Sequence, residues 1–231
     1  MSEFPKIVNW DNVFAKSEEF HNTSPTKFTF VENWIDENFY EKLYETFPKI
    51  GTFTKYERQD KSAYRRWWGT KGDNESIDPN EEDNELSSEW NLFYKYLNSP
   101  EFIENFQKFA NLDVNRVKDW TFMNMQRGGY QLPHIHNEGP RTLGLIFYFN
   151  KNWPDGSSGG TYMSKDDGSQ IIFEPYNLDN SCLIYHDGPY AEHGVRKIDR
   201  DTERRAVQIT LLGWSEKDGW CLSEQPEPIE L

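Results

Sequence analysis

Hydrophobic and polar positions divide the chain near residue 115 into halves with different periods. Before it, the spacing is helical. Phe39, Leu43 and Phe47 recur every fourth residue after Asp36, a side chain suited to capping a helix, and Pro48 ends the pattern. SSEWNLFYKYLNS and SPEFIENFQKFANL predict two further amphipathic helices, the second capped by Ser99. Ahead of them KFTFVENWI alternates and predicts a strand. Residues 1–27 read as polar and irregular. Residues 51–86 are poor in aliphatics and rich in Asp, Asn, Glu and Lys, so long loops are expected, with YRRWWGTKG as a candidate lid.

After residue 115 the pattern shortens. WTFMNMQ, TLGLIFYFN, GTYMS, QIIFE, SCLIYH, HGVRKI and RRAVQITLLGW are brief apolar or alternating runs separated by Gly, Pro, Asn and Asp. Short strands at such spacing predict a β-sandwich or barrel. The expected architecture is α+β and mainly β: a jelly-roll-like core with N-terminal helices packed on one face. The expected organisation is one domain over 1–231, with helical support and loops in 1–115, the jelly roll in 116–215 and a loose Pro- and Glu-rich tail in 216–231.

Composition narrows the partners. The formal net charge is -14, which disfavours a nucleic-acid surface, while 16% aromatic residues argue for a folded core rich in rings. The two cysteines, Cys182 and Cys221, form no C-x-x-C motif, and Cys182 within CLIY reads as a small buried hydrophobe. No apolar run is long enough to span a bilayer, and the start of the chain lacks the pattern of a secretory signal. A soluble, cytoplasmic protein without membrane or nucleic-acid partners is expected.

Five histidines are present, and two of them, His134 and His136, stand two apart in QLPHIHN. On a strand such residues project to one face and can share a divalent metal. A third ligand must come from elsewhere. His186, ending CLIYH, and His193, opening HGVRKI, are the candidates, since His21 lies in a polar N-terminal stretch.

Taken in order, these pieces resemble the iron(II)- and 2-oxoglutarate-dependent oxygenases, especially the prolyl-hydroxylase branch. GGYQLPHIHN is similar to the strand carrying that family's H-x-D motif. LIFYFNKNW is similar to its YYLN-x-x-W strand, and SSGGTYM to its GG-x-L turn. CLIYHDGPYAEHGV resembles the segment delivering the distal His, and ERRAVQITLLGW the strand carrying a basic residue. The resemblance covers residues 118–214, and KFTFVENWIDENFYEKLYETFP is similar to the family's opening strand and helix. It implies a double-stranded β-helix, with iron(II) and 2-oxoglutarate as cofactors and His134 and His193 as iron ligands. It further implies a basic residue on the last strand, Arg204 or Arg205, for the far carboxylate of 2-oxoglutarate. Alternation places Arg204 with Ala206, Gln208 and Thr210 on the polar face suited to a cavity, and Arg205 on the other. Tyr148, matching the second Tyr of YYLN, would hydrogen-bond the same carboxylate.

One position departs from the family. Where the facial triad of two His and one carboxylate places its acid, this chain has His136. His136 could bind directly, Glu138 could supply the carboxylate, or the position could stay open for an anion as in the halogenating members. The activity implied is hydroxylation of a C–H bond coupled to conversion of 2-oxoglutarate to succinate and CO2. The substrate would be a peptide, with a prolyl residue as leading target, or a small molecule. Arg127, Arg66 and Trp67 are candidate substrate contacts. The alternatives are a three-His dioxygenase of the cupin kind, which needs no 2-oxoglutarate, and an inactive peptide-binding module on the same fold.

Overall fold

The structure is a computed structural model that describes residues 4–70, 78–136, 138–139, 141–154, 156–166 and 168–213. The expected tail at 216–231, Cys221, and Lys71 and Gly72 of the candidate lid lie outside the described residues. In chain order the elements are α1 (Trp10–Phe14), α2 (Ser17–Asn22), β1 (Phe28–Glu32), α3 (Glu37–Glu45), β2 (Thr54–Glu57) and β3 (Lys61–Trp67). Next come α4 (Ser88–Leu97), α5 (Pro100–Ala110), β4 (Arg116–Met125), β5 (Tyr130–His134), β6 (Thr142–Tyr148) and β7 (Thr161–Lys165). The last four are β8 (Gln170–Phe173), β9 (Ser181–His186), β10 (His193–Val195) and β11 (Arg204–Leu212).

The helix ends carry the caps their sequences predict. The Asp36 carboxylate accepts from the backbone N–H groups of Asn38 and Phe39, and Ser99 Oγ accepts from Phe102 N–H. Among the described residues the strands form one antiparallel sheet in the order β1-β9-β6-β11-β4-β3-β5-β10-β7-β8, with β2 flanking β3. The sheet curls until its two ends meet: Phe28 and Phe30 of β1 pack on Phe173 of β8 at ring separations of 5.4 and 5.8 Å. This is the double-stranded β-helix, a jelly roll whose two faces are joined through β3. That strand pairs with β4 over Tyr64–Trp67 and with β5 at Lys61 and Ser62.

Two cores result. Alternate residues of β11, Val207, Ile209 and Leu211, join an aromatic core under the helices that includes Trp34, Trp90, Phe93, Trp120, Phe122 and Phe147. Trp90 alone makes ring contacts with Phe47, Phe93, Trp120, Phe122 and Phe149. On the opposite side of β11, Ala206 belongs to a smaller core inside the roll, with Met123, Met125, Ile146, Tyr148, Leu183 and Tyr185.

Two expectations are corrected. Residues 1–27 contain α1 and α2, which are too short to show a period and bury only Val13 and Phe20. The stretch 51–86 contains the β2–β3 hairpin where loops were expected. Its strand pattern is hidden because β3 turns Lys61 and Arg65 toward a polar cavity instead of an apolar core.

Gly144 of β6 is required by close approach. A Cβ there would overlap the Tyr185 ring, which lies across it and packs on His193 at 4.9 Å. Gly144→Ala is therefore expected to destabilise the protein by about 1–3 kcal/mol through overpacking. The fall in urea midpoint at unchanged slope measures it.

Candidate metal centre

His134 closes β5 and His193 opens β10, and the two residues face each other in the antiparallel ladder. The pairing between β5 and β10 is irregular just beyond this point, between His193 and Val195. His136 lies two residues past the end of β5, and its Nε2 still comes within 3.1 Å of His134 Nε2. One ligand nitrogen from each of the three lies within 4.8 Å of the other two. Strand geometry supplies His134 and His193, and the chain leaving β5 supplies His136.

Backbone carbonyls fix two of the tautomers. His134 Nδ1 is 3.0 Å from Leu132 O, and His193 Nδ1 is 2.7 Å from Ala191 O. A carbonyl oxygen only accepts, so each Nδ1 carries the proton and each Nε2 presents a lone pair. Such outer partners orient a ligating imidazole and raise its basicity toward a metal. All three rings have their pKa depressed. Burial is the largest cause for each; the other two rings add to it at His193, and Arg65 and Lys61 at His134. His136 is the most solvent-exposed residue of the three, but its ring faces the other two, and desolvation there, then His134, Arg65 and Lys118, pushes its pKa down to about 4. At neutral pH the cluster therefore offers three unprotonated imidazoles, a donor set suited to zinc, copper, iron or nickel.

The remaining sequence candidates separate cleanly. Glu138 lines the same cavity, but its Oε1 is held by Lys118 Nζ at 2.8 Å, and it is not part of the metal-competent group. His186 ends β9 opposite Leu143 and is likewise outside that group. His21 Nε2 lies 3.0 Å from Phe109 O, a structural contact.

The histidines open into a cavity of about 300 Å³ that Arg204 also lines. The Arg204 side chain is fully buried. Its Nε donates to Gly159 O at 2.7 Å and its Nη2 to Thr161 Oγ1 at 2.9 Å, while Nη1 has no hydrogen-bond partner. Its guanidinium sits over the Tyr148 ring at 5.2 Å, and Tyr148 Oη accepts from Thr161 N–H at 2.9 Å. Every neighbour in these contacts is neutral. A buried guanidinium with an open donor and no acid beside it suits one end of a carboxylate ligand. Arg205 points the other way, over the Tyr44 and Phe47 rings, and pairs with Glu203 at 3.0 Å.

The three residues expected to touch substrate are not brought to this cavity. Arg66 is buried against Asp83 at 2.7 Å, Trp67 packs edge-on to Tyr56 at 5.6 Å, and Arg127 pairs with Asp201 at 3.1 Å on the surface. The cavity is instead lined by Lys61, Arg65, Lys118 and Gln208. Reading 61–67 as a strand would have found the first two, since alternation puts Arg65 inward and Arg66 outward.

No protein-family model matches the chain, and no curated protein matches it. Solved structures do. A prolyl-4-hydroxylase from Pseudomonas putida is 13% identical, with a TM-score of 0.62, covering 87% of this chain and 98% of that one. A Trichoplax adhaerens prolyl hydroxylase, solved with a peptide fragment of hypoxia inducible factor, is 14% identical with a TM-score of 0.60, covering 90% of each chain. HygX from Streptomyces hygroscopicus, solved with nickel, 2-oxoglutarate and hygromycin B, is 8% identical with a TM-score of 0.57, covering 84% and 86%. At such identities these likenesses establish the fold, which is the one used by 2-oxoglutarate- and iron(II)-dependent oxygenases.

Proton linkage follows from the depressed imidazole pKa values. Between an unfolded pKa near 6.5 and the folded value of about 4 for His136, the unfolded chain binds more protons than the folded one. The stability of metal-free protein should thus be intact above pH 6.5 and be lost progressively as pH falls toward 4. Urea midpoints measured from pH 7.5 to 4.5 are expected to fall over that window. The fall should be smaller in His136→Asn, which has no titrating group at 136.

Proposed function

We propose that the protein is an iron(II)- and 2-oxoglutarate-dependent oxygenase that hydroxylates a C–H bond. One observation carries this reading: three unprotonated imidazoles and a buried, acid-free Arg204 share a single cavity. His134, His136 and His193 would hold the metal. Arg204, with Tyr148 and Thr161, would hold the far carboxylate of 2-oxoglutarate. When bound, iron and 2-oxoglutarate supply oxygen activation, with succinate and CO2 as the coupled products. Met123, Met125, Ile146 and Val195 give the cavity apolar wall, which limits water around the reacting groups. Arg204 stays protonated throughout and serves to bind and orient.

A peptide substrate, with a prolyl residue as target, is supported by fold analogy to the prolyl hydroxylases. A reducing, cytoplasmic setting accords with Cys182, a buried free thiol. Among the described residues no helix is long and apolar enough to cross a membrane. The three-His set also suits a dioxygenase that works without 2-oxoglutarate, but that reading gives Arg204 no ligand to bind.

The test is anaerobic titration of the protein with iron(II) and then 2-oxoglutarate, following the weak visible charge-transfer band of the chelate. The band is expected in the wild type and should be lost in His136→Ala. Arg204→Met should keep metal affinity while raising the half-saturating 2-oxoglutarate concentration by roughly 30-fold or more, the scale for truncating one partner of a buried charge pair. Oxygen consumption without 2-oxoglutarate, or a wild type without the band, would sink the proposal.

A further inference from the structure

The ladder between β5 and β10 holds an extra residue on which the histidine cluster depends. His134 stands opposite His193 and Gln131 opposite Val195, so three steps along β5 match two along β10. That mismatch is a β-bulge in β5. Gln131 and His134 both line the cavity, although strict alternation would put residues three apart on opposite faces. Without the extra residue, Pro133 would follow Gln131 inward, and His134 would turn outward with Leu132, which is exposed. The chain leading on to His136 would turn with it. The bulge therefore aims the H-x-H pair at His193.

The bulge is held from two sides. On one, Leu132 N–H donates to Asp60 O at 2.8 Å. On the other, Pro133 packs against the turn between β7 and β8. A Cβ added to Gly168 of that turn would overlap the Pro133 ring, so the turn seats directly on it. Gly168 is fixed in its place by Glu192, the residue before His193. The Glu192 side chain is buried. Its Oε1 accepts from Gly168 N–H and from Ser164 Oγ, each at 2.6 Å. Its backbone carbonyl accepts from Ser164 N–H at 2.9 Å. One side chain thus ties β10, β7 and the turn together against Pro133.

We propose that Glu192 is a positioning residue of the metal centre: through Gly168 and Pro133, its carboxylate holds the β5 bulge in the shape that turns His134 and His136 toward His193. The inference rests on the reading of the three histidines as a metal site. Reach matters in it more than charge, because a hydroxyl and a backbone N–H, the two donors to Oε1, are neutral. Glutamine keeps an accepting oxygen in the same place without the charge. Aspartate, one methylene shorter, keeps the charge and withdraws the oxygen.

The probe is cobalt(II) alone, titrated anaerobically into full-length protein, with its visible d–d bands reporting both affinity and ligand geometry. Glu192→Asp is expected to weaken binding by about 10-fold or more, the scale for losing a partner behind a metal ligand, and to shift the bands. Glu192→Gln should keep wild-type affinity and bands. Gly168→Ala, which presses a methyl group on Pro133, should behave like Glu192→Asp. Ser164→Ala, which leaves the bond to Gly168 in place, should behave like Glu192→Gln. Urea midpoints of the metal-free variants are measured beside the titrations. A merely structural Glu192 would lower the midpoint of Glu192→Asp and leave its affinity and bands unchanged, which overturns the inference. Equal losses in Glu192→Asp and Glu192→Gln overturn it too, by making charge the operative property. Wild-type affinity in Gly168→Ala breaks the link through Pro133 and has the same result. A wild type that binds no cobalt(II) sinks the metal reading and the inference with it; wild-type binding untouched by Glu192→Asp sinks the inference alone.

Discussion

Two-sided burial of β11 is the constraint on which the rest of the molecule depends. A strand exposes successive side chains on opposite faces, and this one is flanked on both edges, by β4 and by β6. From Ala206 onward neither face reaches water except through the cavity. One face carries Val207, Ile209 and Leu211 into the ring-rich core under the helices. The other carries Arg204, Ala206, Gln208 and Thr210, three of which line the cavity. A slip of one residue would put Arg204 among phenylalanines and Leu211 into the polar cavity, so the register is strongly specified. The aromatic mass of the first half does more than stabilise: by filling one face completely, it fixes where Arg204 must point.

That placement carries a standing cost. A guanidinium withdrawn from water with only neutral acceptors, a carbonyl and a hydroxyl, is less stable than one matched to an acid. An orphaned Nη1 at full burial is the kind of feature that folds discard unless something else uses it. The same logic holds for the histidines. Three imidazoles with ligand atoms within 4.8 Å of each other repel once two of them are protonated, and desolvation holds the pKa of each ring down. Both arrangements would relax on meeting a complementary partner, an anion for Arg204 and a cation for the histidines. They lie in the same cavity with their charge demands opposed, which is the pattern a metal and a carboxylate chelator would fill together.

Much of this was legible in the sequence, for reasons that particular residues make plain. The helices around Phe39, Trp90 and Phe106 announce themselves because one face of each is buried and the caps Asp36 and Ser99 mark their starts. Strands β6, β9 and β11 are apolar enough to read directly. The H-x-H pair could be flagged because an i, i+2 spacing has a geometric meaning on a strand. The choice between His186 and His193 was not legible from spacing, since it depends on β10 pairing with β5, a contact between segments distant in the chain. Strand β3 escaped detection because its inward face is charged. Hydrophobic periodicity detects burial against apolar cores and is blind to a strand that lines a polar cavity. The same blindness hid which residues of β3 face the cavity: Arg65 lines it, while Arg66, one step out of phase, is buried against Asp83.

The exchange of an acid for His136 has a consequence that runs through the whole site. Two imidazoles and a carboxylate around a divalent metal leave a net charge of one, and a dianionic chelator then makes the centre negative. Three imidazoles leave the full charge of the metal, and the same chelator only brings the centre to neutrality. In the oxygenase reading the charge of such a centre would be complete once the chelator is bound, with the open donor of Arg204 left to take its far carboxylate.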